Sequence, residues 1–257
     1  YWSFDDIATR PTMLPRTPNW TTYVKPNLAN RWKFDDLENN QTTFADSVMD
    51  DNFTIWTGAP DKPIGTHNIA TGIHGQAVDF NGTGNNRLDT NETTYDPNEG
   101  FTVSCWVRIP DDAVRGEMDL ISQGDGGTTS GFALKKSADE HDIIARFLAG
   151  PGPIFPQTFT KTNVLDSEKW VHIALAHGDV NGTKGTWRFY VDGDLVGEET
   201  TEIDYSSQSI SVGSGFLGAI DELEIYSRGL SVAEIRELAG LYVLDSSGNA
   251  NHGILIG

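Results

Sequence analysis

Apolar and polar residues alternate with a period of two through most of this chain. In Phe101-Thr102-Val103-Ser104-Cys105-Trp106-Val107-Arg108-Ile109, the residues Phe101, Val103, Cys105, Val107 and Ile109 share one face. In Trp170–His177, Val171, Ile173 and Leu175 share a face, while His172 falls with Trp170 and Ala174 and reads as a packed histidine. The same reading predicts strands at Trp32–Asp35, Ala77–Phe80, Met118–Gln123, Gly131–Lys136 and Asp142–Leu148. Further strands are expected at Thr186–Asp192, Leu195–Glu198, Ser209–Val212 and Gly218–Tyr226. Gly, Asn and Asp clusters punctuate them, a spacing that indicates a sandwich or barrel and not βαβ units.

Two local features are sharper. Asp192-Gly193 lies between Trp187–Val191 and Leu195-Val196 and supplies the positive φ angles of a tight hairpin turn. Ser231-Val232-Ala233-Glu234 has the spacing of a capping box, with Ser231 as N-cap and Glu234 at N3. Ile235, Leu238 and Leu241 can line one face of the short helix that follows, and Gly240 can stop it.

Before Arg31 the pattern breaks down. Pro11, Pro15, Pro18 and Pro26 make residues 7–30 read as an extended connector. Ahead of it, Tyr1-Trp2-Ser3-Phe4-Asp5-Asp6 repeats as Arg31-Trp32-Lys33-Phe34-Asp35-Asp36, thirty positions on. The chain closes with Asp245-Ser246-Ser247-Gly248-Asn249-Ala250-Asn251-His252-Gly253, then an apolar stretch.

Five segments, in order, resemble the laminin-G-like, concanavalin-A-like jelly-roll family. They are Trp32-Lys33-Phe34-Asp35, His74–Gly82, Phe101–Val107, Trp170–Ala174 with the Val191-Asp192-Gly193 hairpin, and Gly218–Ser231. The resemblance implies an all-β fold, two antiparallel sheets in a jelly-roll sandwich, with one short C-terminal helix. It implies recognition or adhesion outside the cell, often beside catalytic domains, and names no ligand. The expected organisation is an N-terminal strand and Pro-rich arm (1–30), a laminin-G-like domain (31–240) and a C-terminal strand segment (241–257) resembling the opening of a further module. A family module opens with Trp-x-Phe-Asp followed by Asp-Ser-Ser-Gly-Asn-x-x-His-Gly. Here residues 1–6 carry the first half of an extra opening and residues 245–257 the second. Phe44-Ala45-Asp46-Ser47 is a degraded counterpart inside the module. The two ends can pair within one chain, belong to neighbouring modules, or complete a sheet in another copy.

Composition narrows the partners. Lys and Arg total 18 against 37 Asp and Glu, a formal net charge of −19. That field repels nucleic acid and anionic lipid and favours a hard cation such as Ca²⁺. The resemblance places an Asp of the opening strand near an Asp of the last strand. These are Asp35 and Asp221, with Asp46 as a third candidate for a structural Ca²⁺ site. Asp111-Asp112 and Asp139–Asp142 read as solvated turns. The six histidines lack His-x-x-x-His spacing, which argues against zinc. The lone Cys105 reads as a small core hydrophobe. No stretch of 18 apolar residues is available to span a membrane, and no signal peptide is legible.

The same jelly roll carries glucanases and lyases, so an enzyme has to be weighed. Glu222 and Glu224 share one face and Asp221 takes the other, but position 220 is Ile, so a three-acid glucanase face is incomplete. The alternation of acid and apolar residues there suggests an exposed outer strand. Trp20, Trp56 and Tyr95 fall outside the expected strands; each can stack on a sugar ring or bury against the sandwich edge. Six Asn-x-Thr triplets, at Asn19, Asn40, Asn52, Asn81, Asn91 and Asn181, are glycan acceptors if the protein is secreted by a eukaryote. The leading expectation is a non-catalytic extracellular module binding carbohydrate or protein. A self-assembling surface or filament subunit and a polysaccharide-cleaving enzyme are the alternatives.

Overall fold

A computed structural model of the chain describes residues 27–35, 43–44, 46–48, 53–56, 68–82, 87–89, 100–110, 116–124, 131–138, 141–148, 156–166, 168–181, 184–202, 209–240, 242–243 and 253–254. In chain order the strands are β1 (Leu28–Trp32), β2 (Thr43–Phe44), β3 (Phe53–Trp56), β4 (Asn68–Thr71), β5 (Gln76–Asn81) and β6 (Arg87–Asp89). They continue with β7 (Phe101–Arg108), β8 (Met118–Gln123), β9 (Phe132–Lys136), β10 (Ile143–Leu148), β11 (Pro156–Lys161) and β12 (Val171–Asn181). β13 (Lys184–Val191), β14 (Asp194–Glu202), β15 (Ile210–Val212) and β16 (Leu217–Tyr226) follow, then helix α1 (Val232–Leu238). β17 (Tyr242–Val243) and β18 (Gly253–Ile254) pair with each other in a sheet of their own.

The first sixteen strands form two antiparallel sheets. One runs β14-β13-β12-β7-β16-β5-β4, with β1 also on β16; the other runs β11-β10-β9-β8-β15-β6-β3-β2. The architecture is the expected all-β sandwich, with one short helix among the described residues. Its core is what the alternating pattern anticipates: Phe101, Val103, Cys105 and Val107 are buried with Ile173, Leu175, Trp187 and Phe189. Facing aromatics lock the layers together. Phe101 stacks on Phe132 at 5.1 Å between ring centres, and Phe147 on Trp187 at 4.5 Å. Burying side chains of this size stabilises the fold by about 1.5–3 kcal/mol each. Cys105 is buried in this layer, and desolvation pushes its thiol well above the ordinary range, so it is a packing residue.

The Asp192-Gly193 turn joins β13 to β14 with φ angles of 47° and 79°, as its sequence requires. Helix α1 carries the full capping box: Glu234 N–H donates to Ser231 Oγ, and Ser231 N–H donates to the Glu234 carboxylate at 2.9 Å. The helix is too short to hold itself. Ile235 packs with Ala174, Ala176, Tyr190, Tyr226 and Leu230 on the outer side of the β12–β13 region. Thr102 Oγ1 fastens the approach, donating to Arg228 O and accepting from Leu230 N–H, each at 2.9 Å. Replacing Ser231 by Ala is expected to cost about 1 kcal/mol in urea unfolding, and Ser231→Asp close to nothing.

Three strand expectations need correction. The opening strand runs over Leu28–Trp32, not Trp32–Asp35, because Phe34 takes a φ of 58° and turns the chain out of the ladder. Trp56 is the last residue of β3, paired with Arg87, and not outside the strands. β16 is no outer strand: it lies between β7 on one side and β5 and β1 on the other.

Candidate functional site

The chemistry of the fold concentrates where β16 changes partners. Its first half, Leu217–Ile220, pairs with β5, and its second half, Leu223–Tyr226, pairs with β1. Asp221 and Glu222 fall between the two ladders, at a bulge against β7. Glu222 has a φ of 46°, a conformation that non-glycine residues adopt mostly at such irregular points. The bulge turns the two neighbouring acids toward different surroundings.

Asp221 is completely buried, with 0% of its surface exposed. Its Oδ2 accepts the backbone N–H groups of Ile73 and His74 at 2.8 and 3.2 Å, and its Oδ1 accepts Glu222 N–H at 2.8 Å. Desolvation, with Glu222 adding repulsion, pushes its carboxyl up to about 8 despite these three hydrogen bonds. Asp35 reaches the same turn from the segment just after β1: its Oδ1 accepts Gln76 N–H at 3.3 Å. The turn between β4 and β5 is thus gripped by one carboxylate from the segment following β1 and another from β16.

Gly72 shows how tightly oxygens gather there. A Cβ on it would sit 2.4 Å from Asp221 Oδ2, 2.4 Å from His74 O and 2.6 Å from Gln76 O. Those three oxygens therefore converge on a space that a side chain cannot enter. The donor set, carboxylate plus backbone carbonyl, is the kind hard cations take. Among the described residues no three His, Cys, Asp or Glu side chains gather to hold a metal, so any such site here must use backbone oxygens.

Glu222, within the bulge, and Glu224, just beyond it, turn toward the same cation. Arg31 lies between them, its Nη2 2.7 Å from Glu222 Oε2 and its Nε 3.1 Å from Glu224 Oε1. Glu224 is 3% exposed and also accepts the Tyr226 hydroxyl at 2.5 Å. Burial and Glu224 together push that phenol far above its ordinary range. The unit ties β1 to β16 through one guanidinium.

The remaining candidates are placed elsewhere. Asp46 grips the backbone ahead of the opening Trp: its Oδ1 accepts Arg31 N–H at 2.8 Å and Val48 N–H at 2.9 Å, and its Oδ2 accepts Asn30 Nδ2 at 2.9 Å. Ser47 completes the grip, its N–H and hydroxyl donating to Arg31 O at 2.8 and 3.0 Å. His172 is buried edge-on against Trp106, and its Nε2 lies 2.8 Å from Ser104 Oγ. Asn81 and Asn181 are exposed at the ends of β5 and β12. Trp20, Tyr95, Asn19, Asn40, Asn52 and Asn91 lie outside the described residues, as does the side chain of Trp56. Sequence reasoning missed Arg31 and the carbonyls of His74 and Gln76. Pairing the opening strand with the last strand would have set position 31 opposite Glu224; the carbonyls carry no residue signal at all.

Comparison with known proteins agrees with this architecture. Among solved structures, the binding domain of Paraclostridial Mosquitocidal Protein 1 superposes with a TM-score of 0.61 at 18% identity, covering 85% of this chain and 54% of that one. The Botulinum Neurotoxin Type G receptor binding domain gives 0.59 at 16% identity, covering 85% and 53%. The chain thus spans about half the length of these toxin domains. Domain 4 of AbnA, a GH43 extracellular arabinanase from Geobacillus stearothermophilus, in complex with arabinotriose, gives 0.62 at 21% identity, covering 83% of this chain and 98% of that one. At these identities the likeness is one of fold. Comparison with curated proteins gives no match. A sequence profile for the concanavalin A-like lectin/glucanase superfamily matches residues 81–236, and the chain belongs to that superfamily.

Proposed function

We propose that this chain is a non-catalytic recognition module that works outside the cell and binds carbohydrate. The observation that carries the non-catalytic half is the state of the acids on β16. A retaining glycosidase needs one free acid and one free nucleophile about 5–5.5 Å apart across the scissile bond. Here Glu222 and Glu224 both end on Arg31, and Asp221 is sealed against the β4–β5 turn. Support for binding comes from the superposed domains, two of them receptor-binding or binding domains and one held with arabinotriose. The net charge of −19 argues against nucleic acid and anionic membranes as partners. No described helix is long and apolar enough to cross a membrane. A protein surface is the other partner class this fold serves.

Calcium belongs to the same reading. Asp35 and Asp221 would hold it together with the carbonyls of His74 and Gln76, while Asp46 is committed to the Arg31 backbone. Bound there, the ion would supply positive charge to a buried carboxylate. The residues themselves join the opening strand, the β4–β5 turn and the last strand into one clasp. The exposed Asn81 and Asn181 suit glycan attachment in a host that glycosylates.

A glycan array of arabinan, xylan, β-glucan and host-type oligosaccharides, followed by calorimetry on the hits, tests the binding claim. Saturable binding in the micromolar to millimolar range is expected. Silence across the array, with retention on a protein ligand instead, would move the partner to the protein class.

A further inference from the structure

We propose that Asp79, Arg108 and Trp170 form the sugar-binding patch of this module, on the outer face of the sheet that carries β16. The inference deepens the carbohydrate reading above and rests on it. β5, β16 and β7 lie side by side, and their register sets Asp79 against Ala219 and Ala219 against Arg108. Alternation turns these three away from the core, which Val78, Phe80, Val107 and Ile220 fill from the other face. Two strand spacings, roughly 10 Å, separate Asp79 from Arg108 at the backbone. Ala219 between them is buried and adds only a methyl group. Trp170 stands just ahead of β12, and the Arg108 guanidinium lies over its ring, 5.0 Å from the centre. Asp79, Arg108 and Trp170 are all partly exposed.

These charges stand out by how little they are paired. Every other described aspartate takes part in a hydrogen bond or an ion pair. The Asp79 carboxylate has neither among the described residues. Every other described arginine meets a carboxylate within 3.4 Å, whereas Arg108 has only Glu168, at 3.9 Å and with a side chain 62% exposed. Burial raises the Asp79 carboxyl above its ordinary range, and the nearby Arg108 charge offsets only part of this. A half-sunk acceptor with nothing to accept from costs the fold stability, as expected of a side chain kept for a ligand.

An anion and a cation held apart fit a ligand that carries no net charge and both donates and accepts. Neighbouring hydroxyls of a sugar do both, donating to the carboxylate and accepting from the guanidinium. The Trp170 ring holds the guanidinium in place and adds an apolar surface beside it. An anionic glycan would be repelled by Asp79 and by the net charge of −19, so the occupant is an uncharged saccharide. The other end of this outer face is closed, because Ile235 of α1 packs there with Ala174, Ala176, Tyr190 and Tyr226.

Calorimetry on the full chain tests this, with the arabinan, xylan, β-glucan and host-type oligosaccharides of the array as probes. Asp79→Asn and Arg108→Met should each weaken binding of the sugar that the unaltered chain takes by at least tenfold. Arg146→Met, on β10 of the opposite sheet, should leave binding as it was. The thermal midpoint at neutral pH separates a ligand group from a structural one. Asp79→Asn should hold or raise it, because the charge removed has no partner to lose. Full-strength binding by both site variants would overturn the proposal while leaving the module a sugar binder. So would a midpoint lowered by Asp79→Asn in step with lost binding, or a loss confined to Arg146→Met. An unaltered chain that takes none of the sugars would sink the carbohydrate reading itself, and this patch with it.

Discussion

In protein stripped of divalent ions, the stability to urea should fall as pH rises from about 4 to about 8, and calcium should reverse that trend. The sign follows from Asp221. Its carboxyl is raised from an ordinary 3.8 to about 8, so the folded chain binds a proton more tightly than the unfolded chain does. Stability from this group is complete below its unfolded value and is lost as pH climbs through the folded one. The slope is on the order of 1 kcal/mol per pH unit inside that window, diluted by carboxylates that titrate the other way. Calcium requires the ionised form, so in its presence stability should rise over the same range. At a hundred times the dissociation constant the ion adds about 2.7 kcal/mol, or roughly 5–10 °C in midpoint for a domain of this size. Asp221→Asn should flatten the chelated curve and abolish the calcium response. Parallel pH curves with and without calcium would show that the clasp takes no ion.

The second large effect is expected at Arg31. Arg31→Met removes the cation between Glu222 and Glu224 and leaves two poorly exposed carboxylates facing each other. Stranding a buried partner in this way costs about 3–5 kcal/mol. The thermal midpoint should drop by roughly 10 °C or more. Converting both acids, in Arg31→Met with Glu222→Gln and Glu224→Gln, should recover much of the loss, because the desolvated charge goes with them. Saccharide binding by the folded fraction should stay unchanged throughout. If Glu222→Gln or Glu224→Gln instead removed a hydrolytic activity, the structural reading of these acids would be wrong.

The sandwich was legible wherever a long strand gathers most of its large apolar residues on one face, even where polar residues bury the other. β7, β8, β10, β12 and β16 fall within a few residues of their alternation, since a period of two sustained over six or more residues matches the pleat of a strand and not the turn of a helix. The two-residue strands β2, β17 and β18 carry too little pattern to detect. β11 begins at Pro156 and continues with Thr and Gln; as an edge strand it tolerates the proline and shows no apolar run. β1 was misplaced by several residues because the left-handed turn at Phe34 belongs to a residue that gives no warning of it.

The site was legible in part, and for a different reason. Asp35 and Asp221 were found through their place in a family pattern, and the structure brings both to one turn. Asp46 belonged to the same pattern, and the structure shows it holding a strand backbone, a role set by its two-residue reach to Val48 and its position beside Arg31. The exposure expected of the Asp221–Glu224 stretch failed because charge was read as a sign of solvent. Three backbone donors for one acid and a shared guanidinium for the others allow charge in a central strand.

One experiment addresses recognition without cleavage most directly. The full chain, at high concentration and with calcium present, is incubated overnight with an arabinan oligosaccharide identified on the array, then separated by size-exclusion chromatography. The account predicts that the sugar co-elutes with the protein and emerges at its starting length. Shortened sugar in the included volume, absent from a Glu222→Gln, Glu224→Gln control, would contradict it.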